Sequence, residues 1–169
     1  EFRKPLSIKE LLEIYNEAEC NELILPDVEN DWKQTRELSI NAIRELQEIF
    51  DYNDIEERKK APFLQYVLHG NSYEGMCKNC DNFVHERDFI GFQEYKVTSF
   101  GVPLYEKKWQ RRIEAVHYLS LGTVLPFHLL GVHDPIELAC YTKEDYVRSA
   151  DGGFFVKFGC YKMGWKTDR

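Results

Sequence analysis

Two hydrophobic patterns alternate along this chain. Apolar residues that recur every three or four positions predict amphipathic helices, and short apolar runs bounded by turn residues predict buried strands. Residues 31–50 follow the helical pattern, with Leu38, Ala42 and Leu46 on one side. Helices are predicted over residues 7–20, 31–50, 72–84 and 106–119 and from Asp134 onward. Strands are predicted over residues 22–28, 63–68, 88–92, 126–130 and 146–150.

Local signals mark where some of these elements begin. Ser7 and Glu10 have the spacing of a capping box, in which two side chains satisfy free amides at a helix start. Asp134 followed by Pro135 is typical of another helix start. Between the elements, residues 51–60 are predicted as a charged connector. Residues 93–105, which include a glycine and a proline, are predicted as loop.

The alternation of helices and strands predicts the α/β class, with a parallel sheet and right-handed crossovers. Two architectures stay open at this point. One is a flavodoxin-like open sheet of about five strands. The other is a (β/α) barrel of TIM type, which needs roughly 250 residues, so a chain of 169 residues would hold only its later part. Residues 1–160 are predicted to form one β/α domain, and residues 161–169 a basic tail.

Composition bounds the class of protein. The chain is 43% hydrophobic and 30% charged, as in globular proteins. It has no apolar run near the ~18 residues that suggest a membrane span. Five cysteines, an odd number, fit the reduced thiols of a cytoplasmic protein. Cys77 and Cys80 have the spacing of half a zinc site, but a second pair of ligands is missing, so no metal or cofactor is predicted.

The net charge of −7 argues against general nucleic-acid binding, yet the charge is uneven. Lys107, Lys108, Arg111 and Arg112 surround Trp109. This basic segment predicts contacts to phosphates. The alternative is an ordinary solvated helix face.

Ionisable residues stand where the predicted strands end, and these ends meet at one edge of a parallel sheet. Asp27, His69 and Asp134 can also be turn or cap residues, and His128 is interpreted as a core histidine. Asp151 is the strongest candidate for catalysis. It ends an apolar run and precedes two glycines, which would let a ligand or another backbone come close.

Five segments in this order resemble the tRNA-guanine transglycosylase superfamily. The resemblance spans most of residues 7–159. It is strongest to the small phage and bacterial branch associated with 7-deazaguanine modification of DNA, the DpdA-like proteins. The segments are Leu25-Pro26-Asp27-Val28, Gly70-Asn71-Ser72, Phe89-Ile90-Gly91-Phe92, His128-Leu129-Leu130-Gly131 and Arg148-Ser149-Ala150-Asp151.

The resemblance implies a β/α barrel that exchanges guanine for a 7-deazaguanine in nucleic acid, DNA more than tRNA. Asp151 matches the nucleophile that attacks the sugar C1′, and a carboxylate suits that role. Asp27 matches the base-recognition position. His69, Gly70, Gly91 and Gly131 are implied to line the substrate site.

The chain also departs from the family pattern. His69-Gly70 stands where members carry Gln-Gly, and a second family aspartate would precede residue 7. The family implies a complete barrel, so the chain is expected to be a fragment of an N-terminally longer barrel, a half that a homo-oligomer or a partner chain completes, or an inactive relic. Two alternatives remain: a non-catalytic barrel subunit that pairs with a catalytic chain, and an unrelated β/α enzyme that acts on a small sugar or phosphate substrate.

Overall fold

The computed structural model describes residues 6–85, 96–105 and 108–152, in which helices alternate with the strands of one parallel sheet. The helices are α1 (Ile8–Glu17), α2 (Trp32–Ile49), α3 (Ile55–Lys60), α4 (Tyr73–His85), α5 (Trp109–Ser120) and α6 (Pro135–Cys140). The strands are β1 (Glu22–Ile24), β2 (Phe63–Val67), β3 (Val97–Val102), β4 (Phe127–Leu129) and β5 (Val147–Ala150).

The five strands lie in chain order, β1-β2-β3-β4-β5, and every neighbouring pair is parallel. The prediction of an α/β fold with a parallel sheet is therefore confirmed. A flavodoxin-like sheet reverses its order at a switch point, and the described sheet has no such reversal. Right-handed crossovers between strands in simple sequence place the connecting helices on one face of the sheet.

The core lies between that face of the sheet and the helices. Alternate residues of each strand fill it, which is the period expected of a pleated strand. Tyr66, Phe100 and Phe127 are completely buried there. The rings of Phe100 and Phe127 stack with centroids 6.1 Å apart, and Tyr66 meets Phe100 edge-on at 6.4 Å. These contacts join β2, β3 and β4.

Two β-bulges interrupt the alternation. The pairing between β2 and β3 shifts beside Val97, and the pairing between β4 and β5 shifts beside Val147. In β3, Val97 and Phe100 both pack in the core although they are three positions apart. Val147 and Ala150 of β5 likewise both pack against the core. The extra residue of a bulge re-aims side chains, so two consecutive polar residues in each strand leave the core.

The prediction of loop over residues 93–105 is wrong, because β3 (Val97–Val102) lies within it. Gly101 suggested a loop, but it is buried in the sheet, where a Cβ would lie 2.9 Å from Oε1 of Gln65. The glycine therefore serves close packing. The charged connector over residues 51–60 is also corrected, since α3 forms there on an Asp54 cap. The strand predicted over residues 88–92 lies outside the described residues.

Helix starts follow the predicted chemistry. The Ser7 side chain accepts a hydrogen bond from the Glu10 amide, and Glu10 reaches back to the Ser7 amide at 2.7 Å, which confirms the capping box. Asp134 caps α6 by accepting from the Ile136 amide. None of the helices in the described ranges is both long and apolar enough to cross a membrane.

Candidate functional site at the carboxyl ends of the strands

Asp151 directly follows β5, at the carboxyl edge of the sheet. Its backbone extends the pairing with β4, since its N–H donates to Leu129 O at 3.0 Å and its carbonyl accepts from the Val132 N–H at 2.7 Å. The Oδ1 atom accepts a hydrogen bond from the Gly131 N–H at 2.6 Å. The side chain is 55% exposed. One carboxylate oxygen is thus fixed by the backbone, while the group as a whole stays open to solvent.

His128 is the neighbour of this carboxylate. Its Nε2 lies 3.5 Å from Asp151 Oδ2, and its Nδ1 lies 2.7 Å from the Ser149 hydroxyl. The interpretation of His128 as a core histidine is therefore wrong. Strand alternation could have shown this, because Phe127 and Leu129 are buried on either side and turn His128 to the opposite face.

The glycines near Asp151 have different roles. Gly131 has φ +65°, in the left-handed region that other residues adopt at a cost, and its amide is the donor to Asp151. At Gly152 a Cβ would lie 2.0 Å from the Val132 carbonyl oxygen. Of the two predicted reasons for a glycine here, close approach of another backbone is the one found at Gly152.

Asp27 and His69 form a second polar pair, at the ends of β1 and β2. His69 Nε2 lies 2.6 Å from Asp27 Oδ2, and His69 Nδ1 accepts a bond from the Asn30 N–H at 3.4 Å. An acceptor at Nδ1 leaves Nε2 to donate to Asp27. The His69 side chain is buried, whereas that of Asp27 is 40% exposed. The buried His69 ring therefore fixes one oxygen of the Asp27 carboxylate, and the rest of the group is open to solvent.

A cavity of about 300 Å³ opens beside His69, and Asp27 lies behind that ring, outside the cavity lining. That volume is at the lower end of small-molecule sites. Gly70 packs so closely on the start of α4 that a Cβ would lie 2.4 Å from the Met76 amide nitrogen. The lining residues follow β1, β2 and β3, and they include Asn30, His69, Gly70, Ser72 and Tyr105.

A polar network occupies the sheet face opposite the core, and sequence reasoning missed it. The Glu22 carboxylate accepts bonds from Ser99 Oγ at 2.7 Å, Thr98 Oγ1 at 2.9 Å and Gln65 Nε2 at 3.3 Å. It also accepts one from the Arg148 guanidinium. Thr98-Ser99 and Arg148-Ser149 are the polar pairs at the two bulges. Both strands share the pattern Val-Xaa-Ser-apolar, and this pattern was the sequence signal that could have predicted the bulges.

The bond from Glu22 to Arg148 defines the shape of the sheet. These residues belong to β1 and β5, which a flat sheet would place about 19 Å apart at about 4.8 Å per strand. Side chains stand roughly perpendicular to a sheet, so they would not meet across a flat one. The sheet therefore curves around this face. Asp27 and Asp151 follow the same two strands and lie at the same carboxyl edge.

The residues of the basic segment differ in how exposed their side chains are. Arg112 is completely buried and ion-paired with Glu137, so its predicted phosphate contact is wrong for this conformation. Arg111 is half-exposed and pairs with Glu74 and Glu114, both at 2.9 Å. Lys108 is exposed at the start of α5. Lys107, Gly91 and the tail over residues 161–169 lie outside the described residues.

The thiols of Cys77 and Cys80, which have the spacing of half a zinc site, favour the protonated form. Burial raises the pKa of Cys77 to about 11 and that of Cys80 to about 12, which disfavours the thiolate that zinc requires. Among the described residues, no three His, Cys, Asp or Glu side chains are grouped so that they could hold a metal ion.

Comparison with models of known protein families gives no match, and no curated protein is significantly similar in sequence.

Proposed function

We propose that this protein exchanges a guanine base in nucleic acid for a 7-deazaguanine, with Asp151 as the nucleophile. The observation that carries the proposal is that a backbone amide fixes the Asp151 carboxylate while the group stays open to solvent. It ends a strand of a parallel α/β sheet, at the edge where such proteins place their active sites. The Gly131 amide fixes Oδ1 at 2.6 Å, and the group is 55% exposed, so it can meet a large substrate.

The reaction balances without a cofactor. A carboxylate oxygen of Asp151 forms a bond to the sugar C1′ as the bond from C1′ to the base nitrogen breaks. The electron pair of that bond leaves with guanine, which takes up a proton. The entering base then gives up a proton and attacks C1′, which frees the Asp151 carboxylate. The proton gained by one base equals the proton lost by the other.

Asp27 and His69 are the proposed base-reading pair. The Asp27 carboxylate already accepts a hydrogen bond from His69 Nε2 at 2.6 Å, and its remaining lone pairs can accept from donors of a ligand. Purines with a guanine-like edge present such N–H donors. The adjoining cavity of about 300 Å³ has room for one base, with Gly70 and Tyr105 on its wall.

The barrel is part of the same proposal. Strands in simple sequence order and the contact from Glu22 to Arg148 across the sheet are both features of a β/α barrel wall. The described sheet would then be the later part of that barrel. Further strands, from this protein or from a partner chain, would complete the wall. In a duplex the target nucleotide would be flipped out to reach Asp151.

The test measures modified nucleosides by mass spectrometry in DNA and tRNA from cells that express the wild type or Asp151→Asn. The matched control is Asp145→Asn, an exposed acid six positions earlier. We expect 7-deazaguanine in the DNA with the wild type and the control, and a loss on the order of 10⁴-fold or more in rate with Asp151→Asn. Equal levels with wild type and Asp151→Asn would refute the proposal.

A second function follows if the exposed carboxylates act on a smaller molecule. Asp151 and Asp27 would then be acid and base for a sugar or phosphate substrate. Turnover of a free nucleoside or sugar phosphate without nucleic acid, lost in Asp151→Asn, would favour it. Unchanged association with a catalytic chain in Asp151→Asn would instead favour a non-catalytic subunit.

A further inference from the structure

The Asp151 carboxylate is connected to a buried ion pair through a single peptide group. The Gly131 N–H, which donates to Asp151 Oδ1 at 2.6 Å, belongs to the same peptide as the Leu130 carbonyl. That carbonyl accepts a hydrogen bond from Arg112 Nη1 at 2.5 Å. A donor on the carbonyl end of a peptide polarises it and strengthens its N–H as a donor.

Every nitrogen of the Arg112 guanidinium donates a hydrogen bond. Its Nε and Nη2 bind the two carboxylate oxygens of Glu137 at 2.6 and 2.7 Å, and Nη1 also reaches the Val102 carbonyl at 3.2 Å. Both side chains are completely buried. A planar guanidinium can donate in these fixed directions at once, which an ammonium group cannot do. Arg112 thus ties the ends of β3 and β4 to α6.

We propose that Arg112 is a positioning residue for Asp151, acting through the Leu130–Gly131 peptide. The catalytic consequence rests on the proposed function, but the geometric link does not. Without Arg112 the Leu130 carbonyl loses its donor, and the peptide can rotate between the Leu130 and Val132 amides, which stay bonded to Val102 and Asp151. The Gly131 amide then moves from Oδ1, and the attacking carboxylate loses its alignment. A misplacement of about 1 Å at a reacting group can reduce a rate about 10²-fold.

The test variant replaces both members of the ion pair, Arg112→Met with Glu137→Met. This leaves no lone charge in the interior, and paired apolar replacements of this kind are often tolerated. Leu119→Ala is the control, since it removes a buried side chain of the same helix seven positions after Arg112. Arg112→Lys is the second variant and keeps a positive charge beside Glu137.

Two readouts are combined. The first is the NMR resonance and deuterium exchange of the Gly131 amide, with Asp151→Ala as the reference for the broken bond. We expect the double Met variant to exchange this amide about tenfold faster or more and to shift toward the reference. The second is base exchange on DNA, where kcat should fall about 10²-fold with KM within about twofold. Arg112→Lys should recover part of both, and Leu119→Ala should change neither.

The outcomes separate the two proposals. An unchanged Gly131 amide in the double variant and in Arg112→Lys overturns the positioning role, whatever happens to kcat. A shifted amide with unchanged kcat also overturns it. If the wild type performs no base exchange, the proposed function fails, and the Gly131 amide still decides whether Arg112 holds Asp151. Should the double variant fail to fold, the Arg112→Lys measurements decide in the same way.

Discussion

The carboxylate of Glu22 on β1 accepts a hydrogen bond from the guanidinium of Arg148 on β5, across the full width of the described sheet. The bulge in β5 makes the contact possible, because it places Arg148 and Ser149 on the same side of the strand. This relationship joins the first and last described strands, whose ends carry Asp27 and Asp151.

Glu22→Ala should destabilise the protein more than Arg148→Met does. Removing Glu22 leaves the hydroxyls of Thr98 and Ser99 without their acceptor and takes one of two acceptors from the Gln65 amide, at about 1–3 kcal/mol in total. The Arg148 side chain is 43% exposed, and its loss should cost about 1 kcal/mol or less. Urea unfolding of both variants measures the difference. Equal losses would show that the hydroxyl network contributes nothing.

Gly70→Ala should be disruptive although it adds one methyl group. A Cβ there would lie 2.4 Å from the Met76 amide nitrogen and 2.7 Å from the Gly75 carbonyl carbon, so the start of α4 must move. We expect a loss of about 1–3 kcal/mol in the free energy of unfolding. Gly122→Ala is the matched control, since its Cβ would lie 3.8 Å from the Leu119 carbonyl oxygen, and it should change stability by less than about 0.5 kcal/mol. Similar values for the two would contradict the close packing at Gly70.

Cysteine labelling should follow burial. Cys20 and Cys140 are exposed, whereas burial raises the pKa of Cys77 to about 11 and that of Cys80 to about 12. At pH 8 only about one in a thousand Cys77 thiols would be ionised, so iodoacetamide should label Cys20 and Cys140 first. Mass spectrometry of the labelled peptides distinguishes the sites. Early labelling of Cys80 would show that the core opens more readily than its packing indicates.

The same thiols give stability a pH dependence. Their pKa values are raised on folding, so the folded state favours the protonated form. This contribution is fully present below the unfolded thiol pKa near 9 and is lost as the pH rises toward about 12. Replacing Cys77 and Cys80 together by Ala should flatten the fall in thermal midpoint above pH 9. An unchanged alkaline slope would assign that fall to other groups.

The exposed part of the basic segment should govern the salt dependence of DNA binding. Lys108→Ala combined with Arg111→Ala removes two cationic groups from the start of α5. If both contact phosphates, the slope of log K against log salt should become shallower by about 1–2, with little change in sequence preference. Fluorescence anisotropy at several salt concentrations measures this. Lys33→Ala with Arg44→Ala, on α2, is the control, and an equal change there would point to general charge effects.

Sequence periodicity predicted the bounds of those elements that their own residues determine. The α2 helix and β2 strand were predicted nearly to their ends, because local spacing and caps decide them. It failed at β3, where the glycine and proline of residues 93–105 indicated a loop. There the packing of Phe100 between Tyr66 and Phe127 outweighs the local preference.

The candidate site likewise has residues that the sequence predicted and residues that it did not. Asp151, Asp27 and His69 were found from the sequence, since a polar residue after an apolar run marks a strand end wherever the strand lies. Nothing local showed that Arg112 is buried against Glu137, or that it reaches the peptide that holds Asp151.

The sequence by itself determined the α/β class, the capping of the helices and the acids at the strand ends. The tertiary structure alone decided the curvature of the sheet and the partners of Glu22 and Arg112. The physical reason is separation along the chain. Glu22 and Arg148 are 126 positions apart, and a pairing over that distance depends on strand order, bulges and packing, which hydrophobic spacing within one element does not report.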